Sequence, residues 1–353
     1  MGDPKNASIN ADGFRIYQWV DALTGAETDV LSVTSIRKLC GEPYRLVQWQ
    51  IANVIDAVLG TQKRTVIGPR GGIKDVRQVW EFPSEFARMY DATEGRQDKV
   101  DEAKKWLRDT ADEPRNIGAV RGSMAHHAIE DDADWTRIER PFVVNELAKM
   151  VGSGDHAAKA RLKKGVSDED VSFVRNAVRQ YWDMRAHVPF VIIAREVQVF
   201  NLTAGYAGSF DALAWMLPDD WGDRPIPKAS TITLAWVKEH GGGTDQLVLL
   251  DWKTSKGVYT DQIVQCHAYL SAEFVGSDGV RDRRLTELLL AAHTGGLVHI
   301  RPNAWAVHLF GYTEEVVRAF LGSVAFARFL AKYPEPEPLF TETIKGESQE
   351  ADE

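Results

Sequence analysis

Asp251-Trp252-Lys253 closes the apolar run Leu247-Val248-Leu249-Leu250. If that run is a strand, alternate side chains share a face, so a carboxylate and an ammonium leave the interior together. A bare Asp-x-Lys is more often a strand-end ion pair, but its neighbours change that reading. Asp211 lies on a predicted strand after Gly205-Tyr206-Ala207-Gly208-Ser209-Phe210, and Glu196 lies on the strand before it. Three acids from adjacent strands would meet at one end of a sheet. Such a group supplies the oxygen donors that a hard divalent cation takes.

Two helical patterns add polar groups. Gln262, Gln265 and Tyr269 stand at i, i+3 and i+7, which puts two amides and a phenol on one face. In Gly122-Ser123-Met124-Ala125-His126-His127-Ala128-Ile129-Glu130, His126 and Glu130 are i, i+4 neighbours, and Gly122 lies one turn earlier on the same side. A glycine there allows close approach by another backbone or a ligand. His127 lies about 100° around the helix and is not equivalent.

The elements that must position these residues follow from periodicity. Residues 14–32 read as two strands around a Thr-Gly turn. Ser35 precedes a short helix, then a turn at Gly41 and Pro43 and a longer helix. Gly68-Pro69-Arg70-Gly71-Gly72 reads as a loop, and 82–132 as successive helices broken near 110–116. Residues 167–187 form a capped helix. From Pro189 the character changes. VIIAREVQVF, GSFDALAWML, TITLAWVKEH and DQLVLLDWKTS are rich in β-branched and aromatic residues and read as strands, the last two joined by Gly241-Gly242-Gly243. VYTDQIVQCHAYLSAEFV reads as a helix, GLVHIRP and AWAVHLFG as a strand pair, and 313–332 as a closing helix capped by Thr313. The division is an N-terminal hairpin over 1–30, a helical region over 31–187 carrying His126, a core over 188–333, and an acidic, disordered tail over 334–353.

Bulk properties narrow the class. The chain has 353 residues and a net charge of −9, which argues against an indiscriminate nucleic-acid binder unless the basic groups are gathered locally. Lys159/Arg161/Lys163/Lys164, Arg281/Arg283/Arg284 and Lys253/Lys256 are such clusters. No apolar run reaches membrane-spanning length and MGDPKNASINADG has no apolar signal, so a soluble cytoplasmic protein is expected. Two cysteines, Cys40 and Cys266, cannot build a four-thiolate centre, so no iron–sulfur cluster is expected. Gly68 to Lys74 lacks the spacing and hydroxyl of an ATP-binding loop, so no ATP motor is expected.

Gly122…His126, Gly208…Asp211, Asp251-Trp252-Lys253 and Gln265-Cys266-His267-Ala268-Tyr269, in that order, resemble the RecB-type branch of the PD-(D/E)xK nuclease superfamily. The nearest members in kind are phage exonucleases and CRISPR-associated exonucleases. LSVTSIRKL with Trp49 is similar to the Ser/Thr-rich opening of phage-encoded members. The resemblance spans about residues 30–332. It implies an α/β fold with a restriction-endonuclease-like core, a central mixed sheet flanked by helices, behind a helix-rich N-terminal region. It also implies an Mg²⁺- or Mn²⁺-dependent DNA exonuclease of phage recombination, repair or replication, working in the host cytoplasm. The metal ligands would be His126, Asp211, Asp251 and the Trp252 backbone carbonyl. Lys253 would be the catalytic lysine, with Gln265 and Tyr269 at the substrate backbone and Gln262 and Lys256 as further substrate contacts. Glu196 stands open between a water-bridged ligand and a support for another ligand. The partners implied are single-stranded or duplex DNA ends, with a recombinase, single-strand-binding protein or helicase. A structure-specific endonuclease, a non-catalytic recombination scaffold and a small-phosphoester hydrolase are the competing readings.

Two departures stand out. The stretch between Asp211 and Asp251 is long, which points to an inserted arm at about 218–243 and leaves Asp219, Asp220 and Asp223 as rival ligands. The cysteines that fasten an iron–sulfur cluster in several members are missing.

Overall fold

The computed structural model describes residues 7–10, 14–39, 115–240 and 243–333, with backbone alone for strands β4 (Gln62–Ile67) and β5 (Ile73–Val79). The expected helix beyond Pro43, the loop at 68–72, the helices over 82–114 and the acidic tail lie outside the described residues.

The hairpin forms as its alternating pattern predicts, from β2 (Arg15–Val20) and β3 (Glu27–Ser32), with β1 (Ala7–Ile9) along β2. Its far strand runs directly into helix α1 (Val33–Leu39). The cap is Ser32 rather than Ser35: the Ser32 hydroxyl accepts the Ser35 N–H at 3.0 Å. Ser35 is used elsewhere, accepting the Arg15 N–H at 2.8 Å and so tying helix to hairpin.

All the described strands except β4 and β5 belong to one mixed sheet of ten strands. Its centre is the antiparallel pair β6 (Phe190–Asn201) and β7 (Tyr206–Met216). One edge of β7 is shared by two partners. β3 runs parallel to it at Tyr206 and Ala207, and β8 (Leu247–Lys253) runs antiparallel to it from Ala212 to Trp215. Gly208 to Asp211 therefore carry no ladder pairing on that edge, and the sheet opens there. Beyond β8 come β11 (Thr294–Arg301, parallel) and β12 (Ala304–Gly311, antiparallel). At the other side, β9 (Phe274–Ser277) joins the end of β6 and is followed by the short β10 (Val280–Arg281).

Helices cover both faces. One face buries Leu213, Trp215, Leu247, Leu249 and Leu297 beneath α1, α7 (Thr260–Leu270), α8 (Arg283–Ala291) and α9 (Glu314–Lys332). The other buries Ala212, Ala214, Val248, Leu250, Trp252 and Val298 beneath α2 (115–130), α3 (Arg140–Gly152) and α5 (Asp168–His187), with α4 (His156–Lys164) against α3. Odd and even residues of β8 divide cleanly between the two faces, as period two requires.

Two expectations from the pattern fail. TITLAWVKEH is not a strand; Leu234–His240 forms helix α6. Thr233 Oγ1 accepts the Trp236 N–H at 3.2 Å, and Trp236 then packs at 5.0 Å against Trp215 of β7, which also meets Trp221 at 5.0 Å. This indole cluster pins the arm to the sheet and overrides the strand preference of Thr231, Ile232 and Thr233. The helix predicted through Val275 stops at Leu270, because Phe274 is drawn into an aromatic group with Trp19 and Phe200 and extends as β9. No described helix is long and apolar enough to cross a membrane.

Candidate functional site

The site lies where the β7 edge is unpaired. The pair Ala212↔Leu250 puts Asp211 one step further along β7, beside Asp251. The Trp252 backbone N–H, which a regular ladder would give to a carbonyl, donates to the Asp211 carboxylate instead. Asp219, Asp220 and Asp223 are exposed on the arm and do not belong to the carboxylate group that includes Asp211. The arm thus lengthens the sequence between the two aspartates without separating them in space.

Glu196 reaches Asp211 from the other side. It lies between the pairs Arg195↔Ala212 and Val197↔Phe210. Ala194 and Val197 both pack into the core on one face, while Arg195 and Glu196 both reach α2 on the other. A regular strand cannot put two consecutive side chains on one face. The chain manages it with a left-handed backbone at Glu196, φ 47°. That conformation costs on the order of 1–3 kcal/mol for a residue other than glycine, and such strain gathers at functional positions.

The third carboxylate comes from α2. Gly122, His126 and Glu130 follow one face, and eight residues of helix advance about 12 Å, close to two strand spacings of about 4.8 Å each. The helix crosses the strands accordingly. Gly122 abuts Thr254, just past Lys253; a β-carbon there would lie 2.6 Å from the Thr254 hydroxyl. His126 feels the Lys253 charge, and Glu130 arrives at Glu196 and Asp211. Carboxylate oxygens of Glu130, Glu196 and Asp211 all lie within 4.8 Å of one another, a spacing that suits one cation. Glu130 carried no role in the sequence reading. Its signal was there, in the i, i+4 spacing from His126 on the side of Gly122. His127, as expected, turns away and pairs with Glu146 at 3.5 Å.

Electrostatics match a cation site. Burial, then Glu130 and Asp211, push the Glu196 carboxyl up to about 9. Burial and Asp251 raise Asp211 well above the usual carboxylate range. Without a cation Glu196 holds its proton at neutral pH. Burial, with Lys253 and His127, lowers His126 to about 3, so its imidazole is neutral and keeps a lone pair for a ligand. Oxygen donors with one nearby imidazole fit Mg²⁺ or Mn²⁺ rather than a soft metal.

Asp251 and Lys253, both on β8, pair with each other beside Asp211. Burial alone would lower the lysine, but Asp251 and Asp211 outweigh it and hold the ammonium above its ordinary range. Trp252 between them is fully buried and packs edge-on against Tyr181, ring centres 5.8 Å apart. On α7, Gln265 Nε2 donates to Tyr269 Oη at 2.6 Å. Arg37 of α1, which the sequence reading passed over, fixes the sense of that bond. Its guanidinium donates to Gln265 Oε1 at 3.2 Å and pairs with Asp261, so the amide nitrogen must face the phenol. Burial, then Asp251, keep Tyr269 protonated, so its O–H remains a donor group. Gln262 does something different: its Oε1 accepts the Tyr259 N–H at 3.0 Å and its Nε2 donates to Ser255 at 3.2 Å, starting α7 and holding the loop after Lys253. Lys256 is exposed on that loop. Of the other basic clusters, Arg161 pairs with Asp170, Arg283 with Glu287, and Arg284 donates to the Ile232 carbonyl at 2.9 Å.

Two predictions follow from these contacts. A β-carbon at Gly208 would collide with the Tyr269 ring, so Gly208→Ala is expected to cost about 1–3 kcal/mol by overpacking, read from the urea midpoint. An unchanged midpoint would mean the ring has room to move. The second concerns proton and metal linkage. Glu196 has a folded value above its ordinary 4.5, so its stabilising protonation is complete below that value and is lost as pH rises toward about 9. A dication replaces the lost proton. Mg²⁺ is therefore expected to raise the melting temperature more at about pH 8.5 than at about pH 6. Equal shifts would exclude these carboxylates as its site.

No known protein family and no curated protein matches the chain. Among solved structures, one titled "Crystal structure of SSO0001" is similar over 61% of this chain and 74% of that one, with 13% identity and a TM-score of 0.25. A likeness of that size carries no argument about fold or function.

Proposed function

We propose that this chain is a divalent-metal-dependent DNA nuclease of the RecB-type PD-(D/E)xK kind, with a restriction-endonuclease-like core. The observation that carries the reading is the three-carboxylate group of Glu130, Glu196 and Asp211, set beside Asp251 and Lys253 where the sheet opens. A metal-dependent enzyme is the coarser statement that this group supports by itself. The nuclease reading adds the ordered motifs on α2, β7, β8 and α7.

Glu130, Glu196 and Asp211 would hold the ion, with His126 and Asp251 as the adjoining donors. Bound there, Mg²⁺ or Mn²⁺ would make water a stronger nucleophile and offset charge gathering on the phosphate. Lys253 leaves Asp251 to donate to a non-bridging phosphate oxygen, the group on which negative charge grows. Gln265 orients the Tyr269 O–H toward the strand being cut, and Arg37 holds Gln265 in that sense. Since the chain shows no ATP-binding loop, unwinding of duplex ends would come from a separate helicase or from fraying.

The test uses end-labelled single- and double-stranded linear DNA and a closed circle, each with Mg²⁺, Mn²⁺ or EDTA. Loss of the linear forms with metal alone is the expected result and selects an exonuclease. Cutting of the circle selects an endonuclease. DNA that stays intact with both metals rejects the reading.

A further inference from the structure

Asp132, Trp182, Arg185, Ile192, Ala194 and Arg195 line a cleft of about 550 Å³ between the end of α2, helix α5 and strand β6. It adjoins the carboxylate site through the chain itself, since Arg195 precedes Glu196 and Asp132 follows Glu130 by two residues. Arg195 ties the two elements together, donating to the Asp132 carboxylate at 2.6 Å and to the Ile129 carbonyl at 3.2 Å. Asp132 itself is left-handed, φ 49°. Arg195 thereby neutralises the one acid of the cleft.

The remaining charge is Arg185. Its guanidinium lies 4.2 Å from the Phe190 ring centre and donates to Tyr181 Oη at 3.2 Å and the Phe190 carbonyl at 3.1 Å. Among the described residues no carboxylate pairs with it. Trp182 is 36% exposed, an unusual outlay of apolar surface for the largest side chain. Its Nε1–H donates to the Ala133 carbonyl at 3.0 Å and its ring meets Tyr181 edge-on, centres 5.4 Å apart. The cleft thus offers a flat ring and an uncompensated guanidinium, and its wall at Arg195 is one residue from the cation-site residue Glu196. An apolar ligand would leave Arg185 unanswered, and an anion without a ring system would leave Trp182 bare. A nucleotide answers both.

We propose that this cleft is a subsite for one unpaired nucleotide of a DNA strand whose neighbouring phosphodiester lies at Glu130, Glu196 and Asp211. The base stacks on Trp182 and the phosphate faces Arg185. This rests on the nuclease reading above and extends it to a preference for unpaired DNA.

The experiment measures binding of a labelled thymidine dodecamer to the full chain, by anisotropy, in Ca²⁺, a dication of the same oxygen preference. Trp182→Ala should weaken binding about 5- to 150-fold. Trp182→Phe keeps a ring but loses the bond to Ala133, and should bind close to wild type. On an abasic strand of equal length, wild type and Trp182→Ala should bind alike. Equal losses in the two variants would assign Trp182 to anchoring the turn at Ala133 and overturn the subsite, as would no loss in either. If wild type cuts the dodecamer with Mg²⁺ in either of those cases, the nuclease reading survives alone. If wild type neither binds nor cuts it, both readings fall.

Discussion

Asp211→Asn is expected to remove Mg²⁺ and Mn²⁺ binding and to lower metal-dependent DNA cleavage by at least about 10²–10³-fold, the scale of losing one main electrostatic element of a site. The substitution is nearly isosteric, and the amide oxygen still accepts the Trp252 N–H. The fold is therefore retained. The distinguishing outcome is stability without metal. Burial and Asp251 raise the Asp211 carboxyl well above the usual range, so its charged form is disfavoured in the folded chain. A neutral amide removes that penalty, and the metal-free variant should melt above wild type in mildly alkaline buffer. A structural carboxylate predicts the reverse. Titration calorimetry with Mn²⁺, a thermal melt and the labelled-DNA assay read the three effects. Undiminished Mn²⁺ affinity would dismiss Asp211 as a ligand. Lys253→Ala should keep metal binding and lose cleavage to a similar degree, since the ammonium is assigned to phosphate rather than metal.

The largest stability effect is expected at Asp170, which is fully buried at the start of α5. Its carboxylate accepts from Arg121 Nε at 2.8 Å, Arg161 Nε at 2.8 Å and the Ser167 N–H at 2.9 Å. One acid thereby ties α2, α4 and α5 together, and α2 is the helix that carries His126 and Glu130. Asp170→Ala leaves Arg161 without its anion and Arg121 with only the exposed Glu169, and should cost about 3–5 kcal/mol. Burial alone would raise the Asp170 carboxyl, but the bonds from Ser167, Arg121 and Arg161 outweigh it and hold it below its ordinary 3.8. A depressed folded value means that the stabilisation is present above about 3.8 and is lost as pH falls through the folded value. The gap in urea midpoint between wild type and Asp170→Asn should therefore be wide near neutrality and close below about pH 4. A gap that stays constant with pH would exclude the carboxylate charge as its source.

Much of the site was legible because its parts sit on strongly patterned elements. β-Branched and aromatic runs announced β6, β7 and β8, and helical spacing announced the Gln265/Tyr269 face. The misreadings have particular causes. Leu234 to His240 looked like a strand because its flank is β-branched, and only contact with Trp215 and Trp221 makes it a helix. Arg37 was passed over and Glu130 was given no role because each is an ordinary charged residue until something distant arrives beside it. For Arg37 that is Gln265, and for Glu130 it is Glu196 and Asp211.

The amino-acid sequence by itself determined which elements would carry Asp211, Asp251, Lys253, Gln265 and Tyr269, since local periodicity sets which side chains share a face. Tertiary structure decided which carboxylates meet. β3 and β8 divide one edge of β7 and leave Asp211 unpaired between them, α2 crosses the strands so that Glu130 arrives there, and Glu196 turns left-handed to face both. Those placements depend on pairings between residues far apart in the chain, and no local pattern encodes the position of a distant partner.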